Sequence, residues 1–193
     1  MGRGAPSVSG GTHWILKKTV VLVGMMGAGK TAVGKALAAR LSVPFLDSDA
    51  EIEKAANMTI SEIFQRDGEA FFRARESEVI ERLLDTQRGI LSTGGGAFLS
   101  ERNRQMMSDK GVSVWLNADL SLLWSRVKGK NTRPLLRTAH PYETLRKIYE
   151  TRAPVYALAD LNVAADPGYS IDDMAAEVEA ALVTRRDVLE AVK

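Results

Sequence analysis

The sequence predicts an α/β fold in which a parallel sheet is covered by helices on both faces. Three observations predict it. Short apolar runs alternate along the chain with segments of helical periodicity, the order that builds strand–helix–strand units. The first run, Thr19–Val23 (TVVLV), is unbroken, as a strand buried on both faces requires. It leads directly into Gly24-Met25-Met26-Gly27-Ala28-Gly29-Lys30-Thr31, the complete phosphate-loop pattern G-x-x-x-x-G-K-[ST]. That motif works only between a strand and a helix, and both are present.

The remaining elements follow in order. After Thr31, Val33, Leu37 and Leu41 recur at helical spacing. Val43–Leu46 reads as a second strand, and Ser48 with Glu51 as a capping box that opens a helix through Ala56. Thr59 and Glu62 form another capping box for a short helix around Ile63, and Ala70–Leu84 reads as a longer helix. A third strand, Ile90–Ser92, ends near Gly94-Gly95-Gly96, and a helix from Ser100 leads to the strand Val112–Leu116. Asp119 caps a helix over Leu120–Val127. Residues 128–140 break the pattern with Gly129, Pro134 and basic residues at 128, 130, 133 and 137, and are expected to form a mobile basic loop. Pro141 suits the first turn of the next helix; Leu161–Ala164 is the fifth strand and Ile171–Val183 the closing helix.

Composition limits what such a fold can do. A length of 193 residues suggests one domain, and 45% hydrophobic residues suffice for a core. The net charge of +2 leaves no basic stripe for nucleic acid, so phosphate-binding cations must be local. With no cysteine there are no disulfides and no thiolate metal sites. No apolar stretch approaches the ~20 residues of a membrane span. Residues 1–17, rich in Gly and Ser at their start, lack the apolar segment of a secretory signal and are expected to be a disordered extension.

The phosphate loop predicts nucleoside triphosphate binding. Its glycines let backbone N–H groups turn toward phosphate oxygens, with the helix N-terminus behind them. Lys30 can reach the terminal phosphates, and the Thr31 hydroxyl can hold Mg²⁺. Asp47 and Asp49 fall at the carboxyl end of the second strand, where ligands bind in such sheets, and share one side if the strand stays extended. One carboxylate would support Mg²⁺ and the other would accept a proton from a substrate hydroxyl; a helix-start charge is the plainer reading of Asp49. Gly94–Gly96 admit a small ligand close to the backbone, or simply a bend. Arg73 and Arg152 suit a carboxylate-bearing substrate, although an ion pair of Arg73 with Glu69 or Glu76, and a helix C-terminal cation at Arg152, are equally ordinary roles. Arg133, in the basic loop, is the candidate to arrive over the phosphates; Lys128, Lys130 and Arg137 compete for that role.

With these residues in view, the chain resembles the shikimate kinase family over about residues 18–183. The resemblance is carried by Gly24–Thr31, Asp47-Ser48-Asp49, Asp67-Gly68-Glu69 with Phe72-Arg73, Gly94–Gly96, Arg133-Pro134-Leu135-Leu136, and Arg152-Ala153-Pro154-Val155-Tyr156. It implies a three-layer P-loop NTPase fold of nucleoside monophosphate kinase type, with a five-stranded parallel sheet, substrate-binding helices at about 48–84 and a mobile lid at about 128–140. It implies transfer of the ATP γ-phosphate to the 3-hydroxyl of shikimate, in the cytoplasm, by a monomer. Lys30, Asp49 and Arg133 would be catalytic. Gly27, Ala28, Gly29, Lys30, Thr31, Ala32, Arg126 and Arg133 would hold ATP, with Asp166-Pro167 across the base from Arg126. Asp49, Arg73, Gly94, Gly95, Gly96 and Arg152 would hold shikimate. Thr31 and Asp47 would hold one Mg²⁺. Phe64 and Phe72 would line the apolar side of the pocket or pack in the core. The tail 184–193 lies beyond the shared pattern. A gluconate kinase or a nucleotide-dependent switch would share the phosphate loop but has no need of two arginines for a cyclic acid.

Overall fold

The computed structural model describes residues 13–129 and 136–192. Five parallel strands form the central sheet: β2 (Thr19–Val23), β3 (Phe45–Asp47), β4 (Ile90–Ser92), β5 (Gly111–Asn117) and β6 (Leu161–Ala164). Their spatial order is β3-β4-β2-β5-β6, with β2 in the middle. All five residues of β2 are buried, which is why its sequence is continuous rather than alternating. The register sets Asp47 beside Ser92 and Leu22 beside the same Ser92, so β3, β4 and the phosphate loop end on one edge. Strand order reverses around β2, and the crevice outside the carboxyl ends of the strands is where such sheets receive ligands.

Seven helices flank the sheet among the described residues: α1 (Lys30–Leu41), α2 (Ser48–Ala56), α3 (Ile60–Thr86), α4 (Glu101–Lys110), α5 (Leu120–Val127), α6 (Pro141–Tyr156) and α7 (Ile171–Val183). Val33, Leu37 and Leu41 of α1 are buried, as their spacing predicts. The two helices expected around Ile63 and over Ala70–Leu84 run together as α3, with a break at Gly68 (φ 83°, ψ 174°). The Thr59–Glu62 capping box opens α3, and Asp119 caps α5 through the Leu122 N–H.

Two local expectations are corrected. The cap of α2 is Asp47, whose side chain accepts from the Ala50 N–H. Ser48 is already helical and buried, so it makes no capping box with Glu51. The strand therefore does not stay extended through Asp49, which lies in the first turn of α2. Helix geometry, not strand alternation, sets where Asp49 points.

Residues 13–17 and 184–192 differ from the expectation of a disordered extension and a tail, while residues 1–12 of that expected extension lie outside the described residues. β1 (His13–Leu16) pairs antiparallel with β7 (Leu189–Val192), from His13 opposite Val192 to Leu16 opposite Leu189. Leu16, Val188 and Leu189 are buried in the main core, and Lys17 and Lys18 form ion pairs with Glu190 and Asp187. Residues 13–17 thus join the domain, as a clasp with the C-terminal segment.

Candidate functional site

The phosphate end of the site begins with what α1 lacks. α2, α3, α4, α5 and α7 each have a side-chain N-cap. α1 follows Gly29, which adopts a left-handed conformation (φ 94°) and provides no side-chain cap. The first N–H groups of α1 therefore keep their hydrogen-bonding capacity for a ligand at the positive end of the helix. Gly27, Ala28, Gly29, Lys30, Thr31 and Ala32 all line a cleft of about 550 Å³. Lys30 Nζ donates to the carbonyls of Gly24 (2.8 Å) and Met25 (3.1 Å), which curls its ammonium over the loop. Arg126, from the last turn of α5, donates from Nη1 to the carbonyls of Gly27 (3.2 Å) and Ala28 (3.3 Å).

The same cleft is lined by Asp47, Asp49, Gly94 and Gly95. The triple glycine then explains itself residue by residue. A Cβ on Gly94 would lie 3.1 Å from Asp49 Oδ1, one on Gly95 3.2 Å from Arg152 Nη1, and one on Gly96 2.7 Å from the Arg73 guanidinium carbon. Three consecutive glycines face three charged side chains drawn from three helices. Any side chain on the loop would push one of them away. Asp49, Arg73 and Arg152 are thereby gathered around one short loop.

The electrostatics agree with this closeness. Burial pushes the Asp49 carboxyl above the usual carboxylate range; Asp47 adds to the rise, while Lys30 and Arg73 oppose it. Arg73 Nη1 donates to both oxygens of Glu76, at 2.8 and 3.1 Å. Glu76 is only 1% exposed whereas the Arg73 side chain is 35% exposed, so the pair is buried at its carboxylate and open at its guanidinium, not the fully exposed pair that spacing alone suggests. Its carboxyl is also raised by burial, against the pull of Arg73. Among the described residues Arg152 has no ion pair; a Cβ on Gly95 would lie 3.2 Å from its Nη1 and 3.6 Å from the Tyr156 hydroxyl, so the two groups face the same glycine.

Several participants escaped the sequence reading. Ser92 and Thr93 line the cleft beside Asp47. Tyr169, Ser170, Ile171 and Met174 line it on the Arg126 side, just after the anticipated Asp166-Pro167. Ser170 with Asp173 forms a capping box that the sequence pattern S-x-x-D could have revealed. Phe72 is buried with Ile52 and Ile63, and Phe64 rests on it with ring centroids 4.7 Å apart. Arg133 lies outside the described residues.

Could the site hold Mg²⁺? That ion keeps several waters and takes one or two protein oxygens together with substrate phosphates. Thr31 and Asp47 both line the cleft and supply a hydroxyl and a carboxylate, of which Oδ1 also caps α2, and no cluster of three or more His, Cys, Asp or Glu competes among the described residues. The donor set fits.

Comparison with known proteins converges on one family. The model of the family described as shikimate kinase matches residues 26–182. The chain is 66% identical over 186 residues to a shikimate kinase of Ruegeria pomeroyi, covering 96% of this chain and 95% of that protein. It is 65% identical over 175 residues to one from Cereibacter sphaeroides, covering 91% and 87%. A shikimate kinase from Acinetobacter baumannii, solved in complex with shikimate, superposes with a TM-score of 0.80 at 35% identity, covering 88% of this chain and 94% of that one. A gluconokinase from Sinorhizobium meliloti shares the fold at 19% identity and a TM-score of 0.57, covering 88% of this chain and 93% of that one.

Proposed function

The chain belongs to the shikimate kinase family, and from that premise we propose that it transfers the γ-phosphate of ATP to the 3-hydroxyl of shikimate, giving shikimate 3-phosphate for aromatic amino acid biosynthesis. One observation carries the reading beyond a generic phosphate-loop kinase: Asp49, Arg73 and Arg152 gather around Gly94–Gly96 beside a cleft that also holds Lys30. A carboxylate-bearing alcohol needs two planar cations for its acid and a base for its hydroxyl, and this is such a set.

Phosphoryl transfer depends on positioning and charge neutralisation more than on covalent chemistry. The uncapped start of α1, with Gly27–Ala32, would cradle the phosphates. Lys30 would exchange its bonds to Gly24 and Met25 for phosphate oxygens and follow the charge as it develops. Arg73 and Arg152, with the backbone of Gly95 and Gly96, would hold the shikimate carboxylate, and Gly94 would sit beside the ring. Asp49 would orient the 3-hydroxyl and take its proton as the oxygen attacks the γ-phosphorus and the bond to the β-phosphate oxygen breaks, releasing ADP. Thr31 and Asp47 would hold Mg²⁺, which when bound neutralises phosphate charge. Arg126 would contact the adenine, across from the loop that follows Asp166-Pro167. Arg133 would come in with the lid at 128–140. The chemistry proposed calls on no residue of a second copy, and action as a monomer is part of this proposal. No helix among the described residues is long and apolar enough to cross a membrane, and an ATP-consuming biosynthetic step fits the cytoplasm.

The test is a panel assay. The protein is incubated with Mg·ATP and shikimate, gluconate or nucleoside monophosphates, and ADP release is measured, with the site of phosphorylation read by ³¹P NMR. Shikimate-dependent ADP and a 3-phosphate product are expected. ADP release with gluconate alone would transfer the assignment to another small-metabolite kinase, and slow release with no acceptor would favour a nucleotide switch.

A further inference from the structure

Tyr156 is the last residue of α6 and is fully buried. Its ring is enclosed by aromatic neighbours, with centroids 6.4 Å from Phe98 and 6.3 Å from Trp115. Those contacts account for an aromatic ring at this position. They do not account for its hydroxyl, which a phenylalanine would lack at almost no cost in shape. The hydroxyl donates to the carbonyl of Gly95, 61 residues away in sequence. The Arg152 guanidinium sits one helical turn earlier on α6, on the same face and beside the same glycine. A Cβ on Gly95 would sit 3.6 Å from the hydroxyl oxygen and 3.2 Å from Arg152 Nη1, so loop, phenol and guanidinium share one small volume.

The phenol donates to the Gly95 carbonyl, and its acceptor capacity remains for a guanidinium that shares its small volume. A phenol is protonated at neutral pH in any case, and burial raises its pKa further although Arg152 opposes the rise, so the hydroxyl remains a donor. A planar carboxylate is bound well only by donors already at the right separation, because ordering them on arrival consumes binding energy. Gly95 and Arg152 come from different parts of the chain, and the Tyr156 hydroxyl is the group that joins them.

We propose that Tyr156 is a positioning residue for the acceptor: its hydroxyl ties the Gly95 backbone to the Arg152 guanidinium and so presets the carboxylate clamp before substrate arrives. This rests on the shikimate kinase reading given above. The hydroxyl touches no reacting atom, so its effect falls on acceptor binding rather than on chemistry.

The experiment compares wild type with Tyr156→Phe in steady-state assays with shikimate and ATP varied separately, together with thermal melting. The KM for shikimate is expected to rise about tenfold, kcat to change by less than about threefold, and the KM for ATP to stay within about twofold. Two further arms isolate the route. Adding Tyr156→Phe to Arg152→Ala is expected to raise the shikimate KM little beyond Arg152→Ala alone, because the hydroxyl acts through that arginine. With the methyl ester of shikimate, which lacks the carboxylate charge, Tyr156→Phe and wild type are expected to perform alike. An unchanged shikimate KM in Tyr156→Phe, full additivity in the double variant, or loss of the cooperative melt would each overturn the proposal and return Tyr156 to a packing role. Failure of the underlying reading is separable, since wild type itself would then show no shikimate-dependent turnover.

Discussion

The phosphate end of the cleft comes from one unbroken stretch, Gly24–Thr31, and presents mainly backbone N–H groups; the proposed acceptor end draws Asp49, Arg73, Gly94–Gly96 and Arg152 from four separate parts of the chain and presents mainly side chains. Backbone donors at a helix start need no neighbouring charge to be useful. Side-chain cations and carboxylates taken from water do, and the acceptor end carries that stress: both Asp49 and Glu76 are raised by burial despite Arg73 beside them. The phosphate end is stable by construction, whereas the acceptor end holds charges together at some cost to the fold. Substitutions at the two ends should therefore separate activity from stability in opposite ways.

The largest expected effect is at the phosphate end. Lys30→Ala should lower kcat on the order of 10³-fold while the melting temperature barely moves, because the lysine acts on transition-state charge and its bonds to the Gly24 and Met25 carbonyls hold a loop rather than the core. Single-turnover assays and melting curves check both halves. A variant that turns over normally would remove Lys30 from the chemistry.

Next comes Asp49→Asn, expected to lower kcat on the order of 10²-fold by removing the base. Here the fold should hold or gain. A carboxyl raised in the folded state binds its proton more tightly there than in the unfolded chain, so stability falls as pH rises from the ordinary carboxylate pKa of about 3.9 up to the raised value. The asparagine variant lacks this loss. Its melting temperature relative to wild type should climb through that window and coincide with it at lower pH. In wild type, kcat/KM should fall on the acid side at a pH above the usual carboxylate range, since Asp49 must be ionised to accept a proton. If Asp49→Asn were markedly less stable at neutral pH, the picture of a stressed acceptor end would be wrong.

Arg73→Ala should act mainly on binding. The shikimate KM is expected to rise about 10- to 100-fold, with the KM for ATP nearly unchanged. It also strands the buried Glu76 carboxylate, so the melting temperature should drop. Adding Glu76→Gln should recover much of the melting temperature and none of the binding. A selective loss of ATP affinity in Arg73→Ala would instead assign this arginine to the other end.

The same contrast decides what the sequence could reveal. Gly24–Thr31 was legible because its geometry is local, and the five strands because their apolar runs are too. The gathering of Arg73 and Arg152 was legible only as a pair of candidates; nothing near either residue says that Gly96 and Gly95 face them. Glu76 looked like a surface partner because its spacing from Arg73 is that of any exposed helix pair, and its burial depends on how α3 packs. Ser48 and Asp47 are both good caps, and the choice fell to where β3 stops. The bond from Tyr156 to Gly95 spans 61 residues and leaves no mark in either segment. The terminal clasp is the extreme case. His13–Leu16 is four residues long, and its partner lies at the opposite end of the chain.

That clasp supplies the smallest expected effect on catalysis and the control for the whole comparison. Val188 is fully buried in the turn just before β7, and its carbonyl accepts from the Lys17 N–H at 2.7 Å, tying the two segments together. Val188→Ala removes two buried methyl groups, a loss of about 2 kcal/mol once the residual cavity is included. In a domain of this size that corresponds to a fall of about 4–8 °C in melting temperature. The kinetic constants for ATP and for shikimate should both stay within about twofold of wild type at a temperature where the variant is folded, since Val188 itself does not line the cleft. A shift in either KM would mean that the clasp is coupled to one end of the site. If the shikimate KM moved alone, the acceptor end would be the softer of the two, as its scattered origin implies; if the ATP KM moved alone, the rigidity attributed to Gly24–Thr31 would have to be abandoned.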